Sequence, residues 1–275
     1  MQRIRNLLFV LAAIGTASLA PAQESAPKGP TLYGFECGRL VQDDLGRFSD
    51  TMRYSGERRE LIAGCFLIRH PRGVLLWDTG LDPAIIASPQ PGMTLTNRIG
   101  DRLAKLGLTP GDVTHVGISH YHADHTGGAA DFGKAELLIG KADWDAVQGF
   151  AADDRQRLPL APWLNGGKVT PVKGDKDIFG DGSVMMLTMP GHTPGHSALL
   201  VRLPGAGPVL ITGDQYHFRE NRAVRGVPTF NTDRADTLAS HDRFEEIAKV
   251  LKARVVIQHD PRDMAELPAF PASLD

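Results

Sequence analysis

Ser119-His120-Tyr121-His122-Ala123-Asp124-His125-Thr126-Gly127-Gly128 packs four metal-ligating side chains into six positions: His120, His122, Asp124 and His125. Imidazole and carboxylate are costly to bury unless something pairs with them. Both are also preferred ligands of zinc and related ions. Val113 to Ile118 reads as a strand that delivers His120. His120 and His122 are two apart, so extended backbone sends both side chains the same way. Asp124 and His125 fall where the chain turns into a helix marked by Thr126-Gly127-Gly128, so they face a different point. The natural outcome is a pair of adjacent metals, with His120 and His122 on one and Asp124 and His125 on the other.

Working outward, the further ligand candidates all follow strand-like stretches, where a rigid scaffold can hold ligands on short loops. Pro190-Gly191-His192-Thr193-Pro194-Gly195-His196 is a tight loop carrying two histidines. Gly213-Asp214 ends the strand Val209 to Thr212, and Gln258-His259-Asp260 ends the strand Arg254 to Gln258. The two oxygens of a carboxylate are separately available, which makes Asp214 the natural bridge between two cations.

The N-terminus reads as a secretory signal peptide, residues 1–22. Arg3 and Arg5 precede a short apolar stretch, and Ala20-Pro21-Ala22 supplies the small residues of a cleavage site. The apolar stretch is shorter than the ~20 residues of a spanning helix. No stable membrane anchor is therefore expected after cleavage, and the mature chain is expected in a periplasm or secreted. Residues 23–30 read as a polar, Pro-rich leader, and residues 31–275 are enough for one large domain or two small ones. A formal net charge of −2 with scattered basic residues excludes nucleic acid as a partner. Monomer and homodimer are both open. Cys37 and Cys65 are the only cysteines; they are either a structural disulfide or two buried thiols.

Strands are expected at Leu32–Leu40, Leu61–Arg69, Gly73–Trp77, Ala135–Ile139, Lys168–Val172, Ser183–Met189 and Ser197–Arg202. Helices are expected at Arg98–Leu106, Lys141–Phe150 and Asp233–Leu251. The last carries a core stripe from Leu238 through Phe244, Ile247 and Ala248 to Leu251. Strand blocks separated by helices imply two sheets packed face to face with helices outside. The tryptophans Trp77, Trp144 and Trp163 are expected as core or loop anchors, and His70, His115 and His241 as ordinary histidines.

The HxHxDH run, the GHTPGH loop, the strand-end Asp214 and the late His259, in that order, resemble the metallo-β-lactamase superfamily across essentially all of the mature chain. That resemblance implies an α/β fold, the αββα sandwich of two mixed β-sheets with outer helices. It also implies two divalent cations, zinc first, with iron, cobalt or manganese as alternatives. Position by position it assigns His120, His122 and His196 to the first metal. Asp124, His125 and His259 go to the second, with Asp214 bridging and Asp78 orienting a ligand imidazole. His192 is left as a hydrogen-bonding brace of its loop. CFLIRHPRGVLLWDTG, GHTPGHSALL, GDQYHF and QHDPRD resemble the N-acyl homoserine lactonases in particular. The resemblance implies quorum-quenching lactone hydrolysis by a water that two cations activate, with Asp124 and Asp214 handling protons. Such lactonases carry a catalytic Tyr three residues after the bridging Asp. Here that place is His217, and Tyr216 sits one earlier, so both are candidates to polarise the carbonyl. Leu81, Ile85, Met93 and Phe218 are candidates for an acyl pocket. The rivals are a glyoxalase-II-like thioesterase or a β-lactam hydrolase on the same site, and, in another class, a mononuclear iron oxidoreductase or a non-catalytic metal binder.

Overall fold

Residues 29–275 are described by the computed structural model. The expected signal peptide and the leader up to residue 28 lie outside the described residues. In chain order the elements are β1 (Thr31–Gln42), β2 (Arg59–His70), β3 (Gly73–Trp77), β4 (Met93–Thr94), α1 (Ile99–Ala104), β5 (His115–Ile118), α2 (Ala123–Thr126), β6 (Glu136–Gly140) and α3 (Lys141–Gly149). They continue with α4 (Ala161–Leu164), β7 (Val169–Val172), β8 (Lys176–Asp177), β9 (Val184–Thr188), β10 (Ser197–Leu203), β11 (Gly207–Ile211), α5 (Arg219–Ala223), α6 (Arg234–Leu251), β12 (Arg254–Val256) and α7 (Pro261–Ala265).

The strands form a seven-stranded sheet ordered β4-β1-β2-β3-β5-β6-β7 and a five-stranded sheet ordered β12-β11-β10-β9-β8. Both sheets are mixed. In the first, β3, β5, β6 and β7 pair in parallel and the rest antiparallel. In the second, only β11 and β12 pair in parallel.

The strands are apolar on both faces, and their alternation explains the layering. Successive side chains of a strand point to opposite faces. Phe66, Ile68, Leu75 and Trp77 meet Leu199, Val201, Val209 and Ile211 in the core between the sheets. Their neighbours Leu67 and Leu76 face outward, with Val116 and Ile118, onto Leu103, Trp144 and Val147 of α1 and α3. Ala198, Leu200 and Leu210 face outward onto Phe244 and Ala248 of α6. Strands covered on both faces read as continuous apolar runs, so the sandwich has the four layers expected of αββα.

The buried line of α6 runs through Thr237, Ser240, His241, Phe244 and Ala248. Leu238, expected in that stripe, is only half-buried and stands beside it. Asp233 caps the helix by accepting the Asp236 N–H, which sets its start one residue later than the apolar pattern suggests. The polar stretch 153–165 contains α4. Cys37 and Cys65 are joined as a disulfide between the paired strands β1 and β2, which decides between the two readings of the cysteines.

Candidate metal centre

Parallel pairing gathers the site. β3 and β5 run parallel, so Asp78 and Ser119-His120 leave the first sheet at one edge. β11 and β12 run parallel in the second sheet, so Asp214 and His259 leave together. The loop carrying His192 and His196 joins β9 to β10 beside them. Ligand sites form at the carboxyl ends of parallel strands for this reason.

Two groups of converging ligand atoms result. His120, His122, His192 and Asp214 form one, and Asp124, His125 and His259 the other. In the first, His120 Nε2 lies 2.9 Å from His122 Nδ1 and 3.2 Å from His192 Nε2, and His192 Nε2 lies 3.1 Å from His122 Nδ1. In the second, His125 Nε2 lies 3.1 Å from His259 Nε2. Asp214 stands between them. Its Oδ2 is 3.1 Å from His192 Nε2, while its Oδ1 is 3.1 Å from His125 Nε2 and 2.9 Å from His259 Nε2.

The hydrogen bonds behind these rings say which nitrogens carry protons. His192 Nδ1–H donates to Asn231 Oδ1, whose amide N–H is spent on Thr237 Oγ1. His259 Nδ1–H donates to the Ile62 carbonyl, and His125 Nδ1–H to Asp78 Oδ2. Ser119 Oγ donates to Asp78 Oδ2, which leaves it to accept from His120 Nδ1–H. Four imidazoles thus use their outer hydrogens on acceptors and aim inner lone pairs at one another. Asp214 Oδ1, at the centre, is buried and receives no well-aligned hydrogen bond. Such a cluster is repulsive unless positive charge sits inside it, and the donor chemistry fits a pair of divalent cations.

The electrostatics agree. Burial, then the neighbouring His125, holds His120 well below the ordinary imidazole range. Burial also opposes charge on His125, but Asp214, Asp78 and Asp124 outweigh it and hold that imidazole well above its ordinary value. Asp214 is held well below the carboxylate range by His125 and His259 against the pull of burial. Protons thus take the places that cations would fill.

Asp78 anchors this arrangement from a left-handed backbone position, φ +55°. Its carboxylate accepts from the Ser119 N–H, Ser119 Oγ, His125 Nδ1 and Gln258 Nε2. These bonds hold an otherwise unfavourable conformation and tie the ends of β3, β5 and β12 together.

Two expected roles move. His196, assigned by resemblance to the first metal, has both ring nitrogens engaged. Nδ1–H donates to the Met189 carbonyl at 2.8 Å, and Nε2 accepts the Asp214 backbone N–H at 2.9 Å. Burial pushes it down to about 3, so the ring is neutral and has no lone pair to spare. It supports the turn that presents Asp214, where Gly213 adopts φ +56° and an added Cβ would lie 2.6 Å from His196 Nε2. His192, read as a brace, stands in the cluster instead.

Tyr216 also leaves the site. Its ring stacks on His241 and packs with Phe244 in the layer under α6. Tyr216 and His217 are neighbours in extended backbone, so they point to opposite sides. His217 is the one at the cavity. Its Nε2 is 3.0 Å from Asp214 Oδ2, and its ring lies parallel to His259 and edge-on to Phe48. Asn231 escaped sequence reasoning because nothing in FNTD marks it as a histidine partner.

The centre opens into a cavity of about 810 Å³. Leu81, Ile85 and Met93 line it as expected, joined by Leu40, Leu61 and Phe48. Phe218 does not; it is fully buried in a cluster with Leu45 and Phe48.

A sequence model of the metallo-β-lactamase superfamily matches residues 58–259, a span that includes every group of both clusters. The chain belongs to the metallo-β-lactamase superfamily. Within it, the N-acyl homoserine lactonase AttM of Azorhizobium caulinodans is 32% identical over 227 residues, 75% of this chain and 85% of its own length. An N-acyl homoserine lactonase of a Bacillus species is 29% identical over 252 residues, 87% of this chain and 97% of its own. The crystal structure of a quorum-quenching N-acyl homoserine lactone lactonase superposes with a TM-score of 0.77 at 26% identity, covering 89% of this chain and 98% of that one.

Proposed function

We propose that this member of the superfamily is a dinuclear metal-dependent lactonase that opens the ring of N-acyl homoserine lactones. One observation carries the reading: two ligand groups that meet at Asp214 lie at a cavity lined in part by Leu40, Leu61, Leu81, Ile85 and Met93. His120, His122, His192 and Asp214 would hold one cation, and Asp124, His125, His259 and Asp214 the other. Two divalent ions there, zinc first among the candidates, would supply Lewis acidity toward a carbonyl oxygen and lower the pKa of water.

The remaining steps belong to the chain. Leu40, Leu61, Leu81, Ile85 and Met93 take the acyl chain out of water and leave the lactone ring at the floor. His217, pushed down to about 4 by burial, is neutral at working pH. Its Nε2 lies at the cavity floor 3.0 Å from Asp214 Oδ2, and an Nε2–H turned from that carboxylate to the substrate can donate to the carbonyl oxygen as charge builds there. Asp124, whose side chain is partly open, is placed to carry a proton to the departing alkoxide. An ester's alkoxide needs no stronger acid.

We also infer export to the periplasm. Residues 1–22 have the signature of a signal peptide, and the Cys37–Cys65 disulfide suits an oxidising compartment. Among the described residues no helix is long and apolar enough to cross a membrane. The deciding experiment offers metal-replete protein a panel of acyl homoserine lactones, a thioester and a carbapenem side by side. Ring-opened acyl homoserine should be the main product. Efficient thioester cleavage with lactones untouched would overturn the assignment.

A further inference from the structure

The first ligand group is assembled from two sheets. His120 and His122 follow β5 of the seven-stranded sheet, and His192 lies between β9 and β10 of the five-stranded one. Something must hold these loops in register, because donor atoms from separate loops coordinate one ion only when their mutual positions are fixed. The Ser197 N–H reaches the Ser119 carbonyl at 2.8 Å, which is one direct link.

A second link comes from Asp143, in the first turn of α3. Its side chain turns inward and is fully buried. Oδ2 accepts Thr193 Oγ1–H at 2.7 Å and the Tyr121 N–H at 3.3 Å, while Oδ1 accepts the Gly195 N–H at 2.6 Å. Tyr121 lies between His120 and His122, and Thr193 follows His192. One carboxylate therefore grips both ligand loops at residues adjacent to the ligands. The fit is close: a Cβ on Gly195 would lie 2.5 Å from the Asp143 backbone nitrogen, and one on Gly140 would lie 1.9 Å from the Gly195 carbonyl oxygen. The glycine before His196 in the GHTPGH motif is thus explained by contact with α3.

Asp143 has no ion-pair partner among the described residues. Burial pushes its carboxyl up to about 6 despite three donors. A buried carboxylate is a costly way to join neutral loops, and the lactonase chemistry makes no use of it.

We propose that Asp143 is a positioning residue that clamps the two loops together and thereby sets the metal affinity of the His120–His122–His192 group. In the second group His125 is held by Asp78 and His259 by the Ile62 carbonyl, and none of Asp143's hydrogen bonds reaches that group. The clamp should act on one site and spare the other. It rests on the dinuclear reading of the centre but not on the identity of the substrate.

The test is a stepwise cobalt(II) titration against a competing chelator, read by d–d absorption. The imidazole-rich and carboxylate-rich sites should give distinct bands. Removing a partner that orients ligands costs about 10–100-fold in metal affinity. Asp143→Ala should weaken the imidazole-rich site by about that factor and change the other by less than about 3-fold. Asp143→Asn, which keeps one acceptor oxygen, should fall between Asp143→Ala and the parent. Thr193→Val removes a single donor without touching the carboxylate; it should give a smaller loss at the same site, and it serves if Asp143→Ala fails to fold. Equal weakening of both sites, or unchanged affinity with only a lowered Tm, would overturn the clamp. A parent chain that binds no cobalt would instead sink the dinuclear reading itself.

Discussion

His192 and His196 lie four residues apart in one loop, yet substitution of each should fail in a different way. In metal-free protein His192→Ala loses the hydrogen bond to Asn231, and a typical intramolecular hydrogen bond is worth about 1 kcal/mol. It should therefore unfold close to the parent. His196→Ala strands two buried groups, the Asp214 N–H and the Met189 carbonyl. Each unsatisfied group costs about 1–3 kcal/mol, for a total of about 2–6 kcal/mol before the lost ring packing is counted. Against a usual stability of about 5–15 kcal/mol that is a large fraction. Metal binding should show the reverse. His192→Ala removes a donor atom and should bring bound metal down from about two ions per chain to about one. His196→Ala removes no converging donor and should keep both, with affinity lowered about 10–100-fold through the loosened Asp214 turn. Urea unfolding of metal-free protein and elemental analysis after dialysis measure the two effects separately. If His196→Ala lost one metal while keeping its stability, and His192→Ala kept both metals, the exchange of roles argued from the hydrogen bonds would be wrong.

Two further outcomes follow from the electrostatics and the packing. His125 is held well above, and His259 above, the ordinary imidazole pKa by Asp214, against the pull of burial. At neutral pH the metal-free centre therefore carries protons that cations must displace. Calorimetry of zinc binding in buffers of different ionisation enthalpy should report net proton release, and affinity should fall as pH drops; zero release would contradict those shifts. Tyr216→Phe should leave kcat on lactones within about 2-fold, since the phenol sits under α6, whereas His217→Phe should lower kcat about 10²–10³-fold with little change in KM, as loss of an oxyanion donor does. Steady-state kinetics on one lactone decides between the two residues.

Much of this was legible in the sequence, and the failures have physical causes. Continuous apolar strands bounded by turn residues gave the two-sheet sandwich, because strands covered on both faces leave that trace. HxHxDH announced itself because its ligands are local. The other ligands come from residues whose meaning depends on direction. Strand parity held a usable signal for His196. It shares parity with Ala198 and Leu200, which face α6, not with Leu199 and Val201, which face the other sheet. Read that way, its ring belongs behind the Asp214 turn. For Tyr216 and His217, alternation says that only one can face the cavity but not which. That choice is made by the 3-10 turn at Gly213–Gln215 and by His241, whose Nε2–H donates to the Gln215 carbonyl. Asn231, Asp143 and Ile62 were invisible because their partners are far away in sequence.

The division of labour around Asp214 follows from the same geometry. A carboxylate that serves two ligand groups must present one oxygen to each, so its backbone position is fixed more tightly than that of any single ligand. The chain meets this demand from behind the site. His196 takes the Asp214 N–H, and His241 takes the Gln215 carbonyl. Neither imidazole needs to touch substrate or metal, yet each is buried in the layer that α6 covers. The side facing the two ligand groups is then free to carry only donors, which is why Asp214 Oδ1 finds no well-directed hydrogen bond within the protein. An acyl-chain pocket could be rebuilt by changing Leu81, Ile85 or Met93, which rest on a separate small cluster with Leu40 and Ala63. The Asp214 turn tolerates no such change, because Asp214 takes its backbone support and presents its carboxylate from the same residue.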